Sequence, residues 1–185
     1  MDIFEAIHTR QSIGRVKPDP VPQEWIERML AAAAQAPNHY KVRPWRFVVL
    51  TGAARGRLGE VMAESLRQRD PNANDEALAR ERAKPLRAPV VIAAGVDKPG
   101  APRVIEIENV CAAAAAVQNL LLAAHGLGLA AKWRTVLAAY DPAVKAFLGF
   151  EPDQHLIAFV YVGYAETGPT LPSRPSHEDR TVWME

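Results

Sequence analysis

The sequence predicts an α+β fold: a few-stranded mixed sheet sandwiched by helices. Three observations carry this. Helical periodicity comes first, from Ile3 to Ala33, before any strand. Residues 47–50, 89–94 and 156–162 are then continuous apolar runs, the pattern of strands covered on both faces. Helical stripes lie between those runs, so strands and helices alternate after an all-helical start.

Taken in order, Ile3, Phe4 and Ile7 share one face of a short helix that ends near Thr9 and Arg10. Pro18, Pro20 and Pro22 make an extended link, and Pro22 suits a helix start, where its missing N–H costs nothing. Trp25, Ile26, Met29, Leu30 and Ala33 stripe the second helix, which Pro37 ends. After the first strand, Leu58, Val61, Met62 and Leu66 define a helix that follows Thr51 and Gly52. Residues 67–84 are highly charged and contain Pro71-Asn72-Ala73-Asn74, which reads as a mobile loop leading into a polar helix. An alanine-rich helix spans about 105–125, and its second half is apolar nearly all round, which places it centrally or at a subunit interface. Gly126 and Gly128 stop it, and residues 130–135 resume as a short strand or turn. Asp141 and Pro142 cap a further helix with Val144, Phe147 and Leu148 inside and Gly149 at its end. From about Tyr164 the chain carries Pro169, Pro172 and Pro175 and few apolar residues, so it dangles or wraps another surface, such as a partner subunit. Residues 1–185 are therefore expected to form one domain, with 164–185 as a C-terminal arm.

Composition narrows the function. The 185 residues are 49% hydrophobic and 23% charged, ordinary for a folded domain with a sizeable core. A net charge of +1 gives no global pointer to nucleic acid or membrane. The distribution is less even: up to Arg57 there are nine Lys/Arg against five Asp/Glu, and thirteen against sixteen thereafter. That local excess fits an anionic ligand near the N-terminal end, or simply a solvated surface. The single Cys111 sits in an apolar run and reads as a small core residue. One cysteine, no basic start and no long apolar leader suit a cytoplasmic protein.

Three segments carry candidate chemistry. Arg10-Gln11-Ser12 offers a guanidinium fork and a hydroxyl two residues on, suited to phosphate; the same residues also suit an exposed basic helix end complementing its dipole. Pro37-Asn38-His39 puts a histidine on a polar turn, where it can bond a ribityl chain or phosphate, or find backbone partners alone. Lys41 and Arg43 are better placed for ligand than Trp45, which reads as core. His125-Gly126-Leu127-Gly128 follows a helix and so reads as a C-cap, while Lys132-Trp133-Arg134-Thr135 places backbone N–H groups at a strand mouth, fit for the edge of a planar ring. His8, His39, His125, His155 and His177 lack metal-ligand spacing, and no nucleophile, acid or base constellation is evident. An enzyme without its own reactive side chains borrows a cofactor's chemistry.

Taken together, these segments resemble the nitroreductase family of flavin-dependent oxidoreductases. Residues 3–12, from Ile3-Phe4-Glu5 to Arg10-Gln11-Ser12, are similar to its N-terminal helix ending in Arg-Arg-Ser; Ala36-Pro37-Asn38-His39 through Pro44-Trp45-Arg46-Phe47 is similar to its second signature; Ala123 to Gly128 through Trp133-Arg134-Thr135 is similar to its third. Gln11 stands where that motif carries a second arginine, and Arg43 where a glutamine is common. The resemblance implies an intertwined homodimer with FMN at the subunit interface and NADH or NADPH as reductant. It implies that Arg10, Gln11 and Ser12 hold the phosphate and ribityl end from one chain, and that Gln35 and His39 approach from the other. Trp133, Arg134 and Thr135 would bond the ring edge, largely through backbone, and Ala123, Ala124, His125, Gly126, Leu127 and Gly128 would meet the nicotinamide nucleotide. Hydride would pass from NAD(P)H through the flavin to a nitroaromatic, a quinone or a similar small acceptor, with no catalytic side chain, no metal, and no nucleic-acid or membrane partner. Two other readings fit the residues: a flavin-binding storage or sensor protein without turnover, and a helical dimerisation or anion-binding protein without flavin.

Overall fold

The computed structural model describes residues 1–168 and 173–185. Six α-helices surround four strands: α1 (Ile3–Thr9), α2 (Gln23–Ala33), β1 (Trp45–Leu50), α3 (Gly52–Arg69), α4 (Asp75–Ala83), β2 (Val90–Val96), α5 (Glu106–Gly126), β3 (Ala130–Arg134), α6 (Pro142–Phe147) and β4 (His155–Gly163). The sheet order is β1-β2-β4-β3, and all three pairings are antiparallel. The expected mixed sheet is corrected on this point. Among the described residues, parallel pairing appears as an isolated bridge between Ser12 and Ala131. β2 and β3 run parallel to each other, but β4 inserts between them and pairs antiparallel with both.

Strand alternation builds a core on each face. Val90, Ile92, Ala94, Ala158, Val160 and Val162 pack towards α2 and α5, joined by Met29, Ala116, Val117 and Leu120. Val91, Ala93, Leu156, Phe159 and Tyr161 pack towards α3 and α6, joined by Leu58, Met62 and Val144. The central strand β2 is buried throughout, as its apolar run requires. β1 lies at the sheet edge and starts two residues before the apolar run; its Trp45 is half-buried against the α2/α5 side and its Val49 is exposed. Gly95 is required where it stands: a Cβ there would lie 2.1 Å from the Phe150 ring, at the point where the β2–β4 register shifts.

α5 is long and apolar enough to cross a bilayer, but Ala113, Ala116, Val117, Leu120 and Ala124 are buried in the core. Glu106 and Glu108 complement its N-terminal dipole, and Gly128, at φ 76°, closes its C-terminal end.

Two expectations change. The polar helix expected within residues 67–84 is present as α4, but the loop before it is short: α3 continues to Arg69, and α4 begins at Asp75 with Asn74 accepting from the Ala77 N–H at 2.9 Å. Most of the charges fall on the solvent side of two packed helices, with Arg82 bonded to Glu60 at 2.8 Å; Leu78 and Glu81 are buried, the latter paired with Lys84. Cys111 is exposed, because it lies on the side of α5 that turns away from the sheet. The apolar face of α1 is also open: Ile3, Phe4 and Ile7 are exposed and only Ala6 is buried.

The C-terminal arm starts by pairing. Lys17 donates to the Tyr164 carbonyl at 2.8 Å, Val16 bridges Ala165 antiparallel, and Glu166 donates to Arg15. Pro169 and Pro172 lie outside the described residues. Beyond them, the Arg174 side chain donates to the Arg10 carbonyl, and Val182, Trp183 and Met184 stand almost wholly exposed. The accessible surface is 11,095 Å², whereas a folded monomer of this mass shows about 8,800 Å².

Candidate functional site

The first cluster forms where α1 meets the β3 edge. Arg10 is the residue after α1, and its extended backbone turns the chain alongside β3. Ser12 bridges Ala131, and the Ile13 N–H donates to the Ala131 carbonyl at 3.1 Å. Gly14 lets the segment pass close: a Cβ there would stand 3.1 Å from Lys132 Cδ. Because Ala131 presents its carbonyl to Ile13, Trp133, two residues on, presents its main-chain N–H to the same edge. No main-chain partner for that N–H is found beyond the sheet among the described residues.

The side chains here are donors and cations. The Gln11 Nε2 is buried with no hydrogen-bond partner among the described residues. Burial and the neighbouring Arg174 hold the Arg10 guanidinium below its ordinary range. Alongside lies a cavity of about 510 Å³ lined by Arg15, Arg87, Lys132 and Arg134, with Glu166 as its acid. The Trp133 and Thr135 side chains are engaged inward, both donating to the Ile157 carbonyl, at 3.0 and 2.9 Å. Arg134 lies 5.7 Å from the Tyr161 ring centre, and burial pushes that phenol up. Trp133 and Arg134 remain half-buried and Thr135 exposed.

The six residues 123–128 form the end of α5. The Leu127 N–H donates to Ala123 and Ala124, and Gly128 to His125. The Thr9 hydroxyl donates to the Glu5 carbonyl at 2.6 Å, so its oxygen accepts from His125 Nε2–H at 2.8 Å. Burial and then Arg10 hold the His125 imidazole below its ordinary range, against a smaller opposing effect of Glu5. Ala123 and Gly126 line a groove of about 580 Å³ between α1, α2 and α5, and Gln35 lines it too.

His39 lies elsewhere. It begins a short turn after α2, and its Nδ1 is 3.0 Å from Glu108 Oε2 in the first turn of α5. It borders a groove of about 400 Å³ with Pro37, Cys111 and Ala115. Gln35 and His39 therefore line different grooves. Glu108 and His125 are seventeen residues apart on one helix, which separates His39 from Thr9 and Arg10 by roughly 25 Å at 1.5 Å per residue. One chain does not bring the expected residues around a single mononucleotide.

Sequence reasoning missed two features. Arg174 reaches Arg10 from more than 160 residues away, and nothing local signals it. Tyr40, Lys41 and Arg43 all have left-handed backbone, with φ of 50°, 55° and 50°; non-glycine residues rarely adopt it, and it concentrates at functional sites. Among the described residues no three His, Cys, Asp or Glu side chains converge as a metal site.

A four-stranded antiparallel sheet between an alanine-rich helix and a second helical layer, with a donor-rich edge beside its N-terminal segment, defines an α+β protein. Residues 7–164 match the model of the Nitroreductase family, and the chain belongs to that family. Over 164 residues it is 28% identical to the "Putative NAD(P)H nitroreductase YdjA" of Escherichia coli (strain K12), covering 88% of each protein. Its fold matches the crystal structure of a nitroreductase-like family protein from Bacillus cereus with a TM-score of 0.86 at 23% identity, covering 100% of this chain and 97% of that one. It also matches the FMN-dependent nitroreductase NfnB from Mycobacterium smegmatis, solved in complex with NADPH, with a TM-score of 0.75 at 22% identity and 98% and 97% coverage.

Proposed function

We propose that this protein is an FMN-dependent oxidoreductase that passes reducing equivalents from NADH or NADPH to small acceptors such as nitroaromatics or quinones. It works as a homodimer whose flavin sites lie between the two chains, with residues 1–185 forming one unit and 164–185 an arm. The observation that carries this reading is the donor set at the β3 edge: a buried Gln11 amide without a partner among the described residues, beside Arg10, Ser12 and the outward N–H of Trp133. A buried donor left unpaired costs about 1–3 kcal/mol, so it calls for an acceptor.

The residues fit FMN. Arg10 and Ser12 suit its phosphate, the Gln11 amide its ribityl hydroxyls, and the Trp133 N–H the acceptor edge of its ring. Bound FMN would supply the two-electron chemistry that no side chain here provides. The chain's part is electrostatic and positional. Donors and cations along the β3 edge would stabilise negative charge there, and the site needs no proton-transfer side chain of its own.

The separation of His39 from Arg10 along α5 supports a site shared by two copies, with His39 coming from the partner. The exposed faces of α1 and of residues 182–184, and an accessible surface well above that of an average monomer, supply what a second copy would cover. For the nicotinamide nucleotide, the end of α5 is a poor phosphate contact, since its carbonyls and dipole repel anions. Its contribution narrows to the groove wall formed by Ala123 and Gly126.

The test is the absorbance spectrum of the purified protein, followed by NADH and NADPH oxidation with and without an added quinone. Bound flavin and acceptor-dependent oxidation are expected. A colourless protein whose thermal midpoint added FMN leaves unmoved would refute the reading. Bound flavin without turnover would leave a storage or sensor protein.

A further inference from the structure

The strained turn after α2 has chemistry that flavin binding does not use. The Tyr40 ring stacks edge-on to His39 at 5.6 Å, and the Arg103 guanidinium lies 4.7 Å from the centre of the same ring. Between this turn and the segment after β2 lies a cavity of about 420 Å³, walled by Tyr40, Val42, Val104, Lys98 and Asp97, the one acid in its lining, with Arg103 at its side. The turn is held in place: Asn38 Oδ1 accepts from the Arg43 N–H at 2.8 Å, and the Asp97 N–H donates to the Pro44 carbonyl at 2.7 Å.

The charges around it do not balance. Asp97 lies 3.5 Å from Arg46 and accepts from Gln154 at 3.1 Å. Asp153 pairs with Lys98, Glu106 with His155, and Glu108 with His39. Each of these acids lies beside a cation or a histidine, although Glu108 Oε2, 3.0 Å from His39 Nδ1, forms no hydrogen bond among the described residues. Lys41 and Arg43 have no acidic partner among the described residues, and the only contact found there for the Arg103 guanidinium is an aromatic face. A guanidinium on a ring keeps its outer N–H groups free for a carboxylate.

We propose that this cavity is an acceptor subsite selective for anionic aromatics, with Arg103 as its specificity-determining residue and Lys41 and Arg43 as the attracting field. The class is a one-ring aromatic bearing a carboxylate. Its anion would meet Arg103 while its ring lies against Tyr40, Val42 and Val104. This rests on the proposed function only in calling the occupant an acceptor; the anion-aromatic pocket stands without it.

Two measurements test the proposal and keep its failure apart from that of the function. The first compares kcat/KM for 4-nitrobenzoate and its methyl ester, each nitro group taking two electrons from one NAD(P)H and two protons to give the nitroso compound and water. At least a tenfold preference for the acid is expected, carried mainly in KM, falling towards parity in R103Q and partly restored in R103K. The second is calorimetric titration of benzoate into the wild type and R103Q, which needs no turnover. Arg103-dependent benzoate binding in a protein that neither carries flavin nor responds to added FMN would support the subsite and refute the oxidoreductase. A flavoprotein that treats acid and ester alike, or a preference that R103Q and a K41Q/R43Q variant both keep, would overturn the subsite.

Discussion

The two ends of α5 present opposite kinds of site. At its C-terminal end, Arg10, Gln11 and Ser12 are fixed by long-range pairing with β3, and His125 ties α1 to the helix. At its N-terminal end, His39 sits on Glu108 within a turn whose shape is local and strained. The first end offers donors waiting for acceptors. The second offers one histidine set against a carboxylate, and cations without acidic partners among the described residues. On the proposed reading, sheet register would build the cofactor's anchor, while a strained turn would shape what reaches it.

The largest contrast should appear in flavin affinity. Arg10→Ala removes a charge-assisted contact of about 1.5–3 kcal/mol, so FMN should bind roughly ten- to hundredfold more weakly in a fluorescence titration of the flavin-free protein. His39→Ala should cost only about 0.5–1.5 kcal/mol, the scale of a neutral hydrogen bond. Equal losses would break the comparison.

Gln11→Leu should act in two directions. Removing a buried donor without a partner should raise the thermal midpoint of the flavin-free protein, while FMN affinity falls. A lower midpoint in the flavin-free protein would mean that the amide is satisfied. Lys41→Gly probes the other end: glycine accepts φ 55° freely, so the folded state should gain about 1 kcal/mol in chemical denaturation. No gain would mean that the turn stores no strain.

The smallest effect is a pH dependence at His125. Its folded-state pKa lies below the ordinary 6.5, so around and below that value the unfolded state binds more protons. Stability should therefore rise with pH through this window, with the contribution complete above it and lost as pH falls. Denaturation measured on either side of pH 6.5 should show the slope flattened in His125→Gln. An unchanged slope would place the titration elsewhere.

Much of the fold was legible because burial leaves a composition trace. The runs at β2 and β4 and the alanine-rich α5 are apolar because both faces are covered. α4 was harder: its charges pair on the surface, and only Leu78 and the Asn74 cap betray an ordered helix. Cys111 misled because α5 is apolar on a side that the sheet does not cover. The pieces of the candidate site were legible as segments, but their distribution was not. The distance along α5 between His39 and Arg10 depends on where α1 and the turn after α2 dock, and that is set by tertiary packing. The Arg174–Arg10 contact and the left-handed turn at Tyr40, Lys41 and Arg43 leave no signal in residue type, since glycine or asparagine would be the usual choice there.

The central claim, a flavin site shared by two chains, has a direct test in co-expressing Arg10→Ala and His39→Ala chains and isolating the mixed dimer. If Arg10 of one chain and His39 of the other serve the same flavin, the mixed dimer holds one intact site and one doubly impaired site. FMN titration should then show two phases, one with wild-type affinity. If instead each site draws both residues from a single chain, both sites carry one substitution each, and the absence of any wild-type phase would contradict the account.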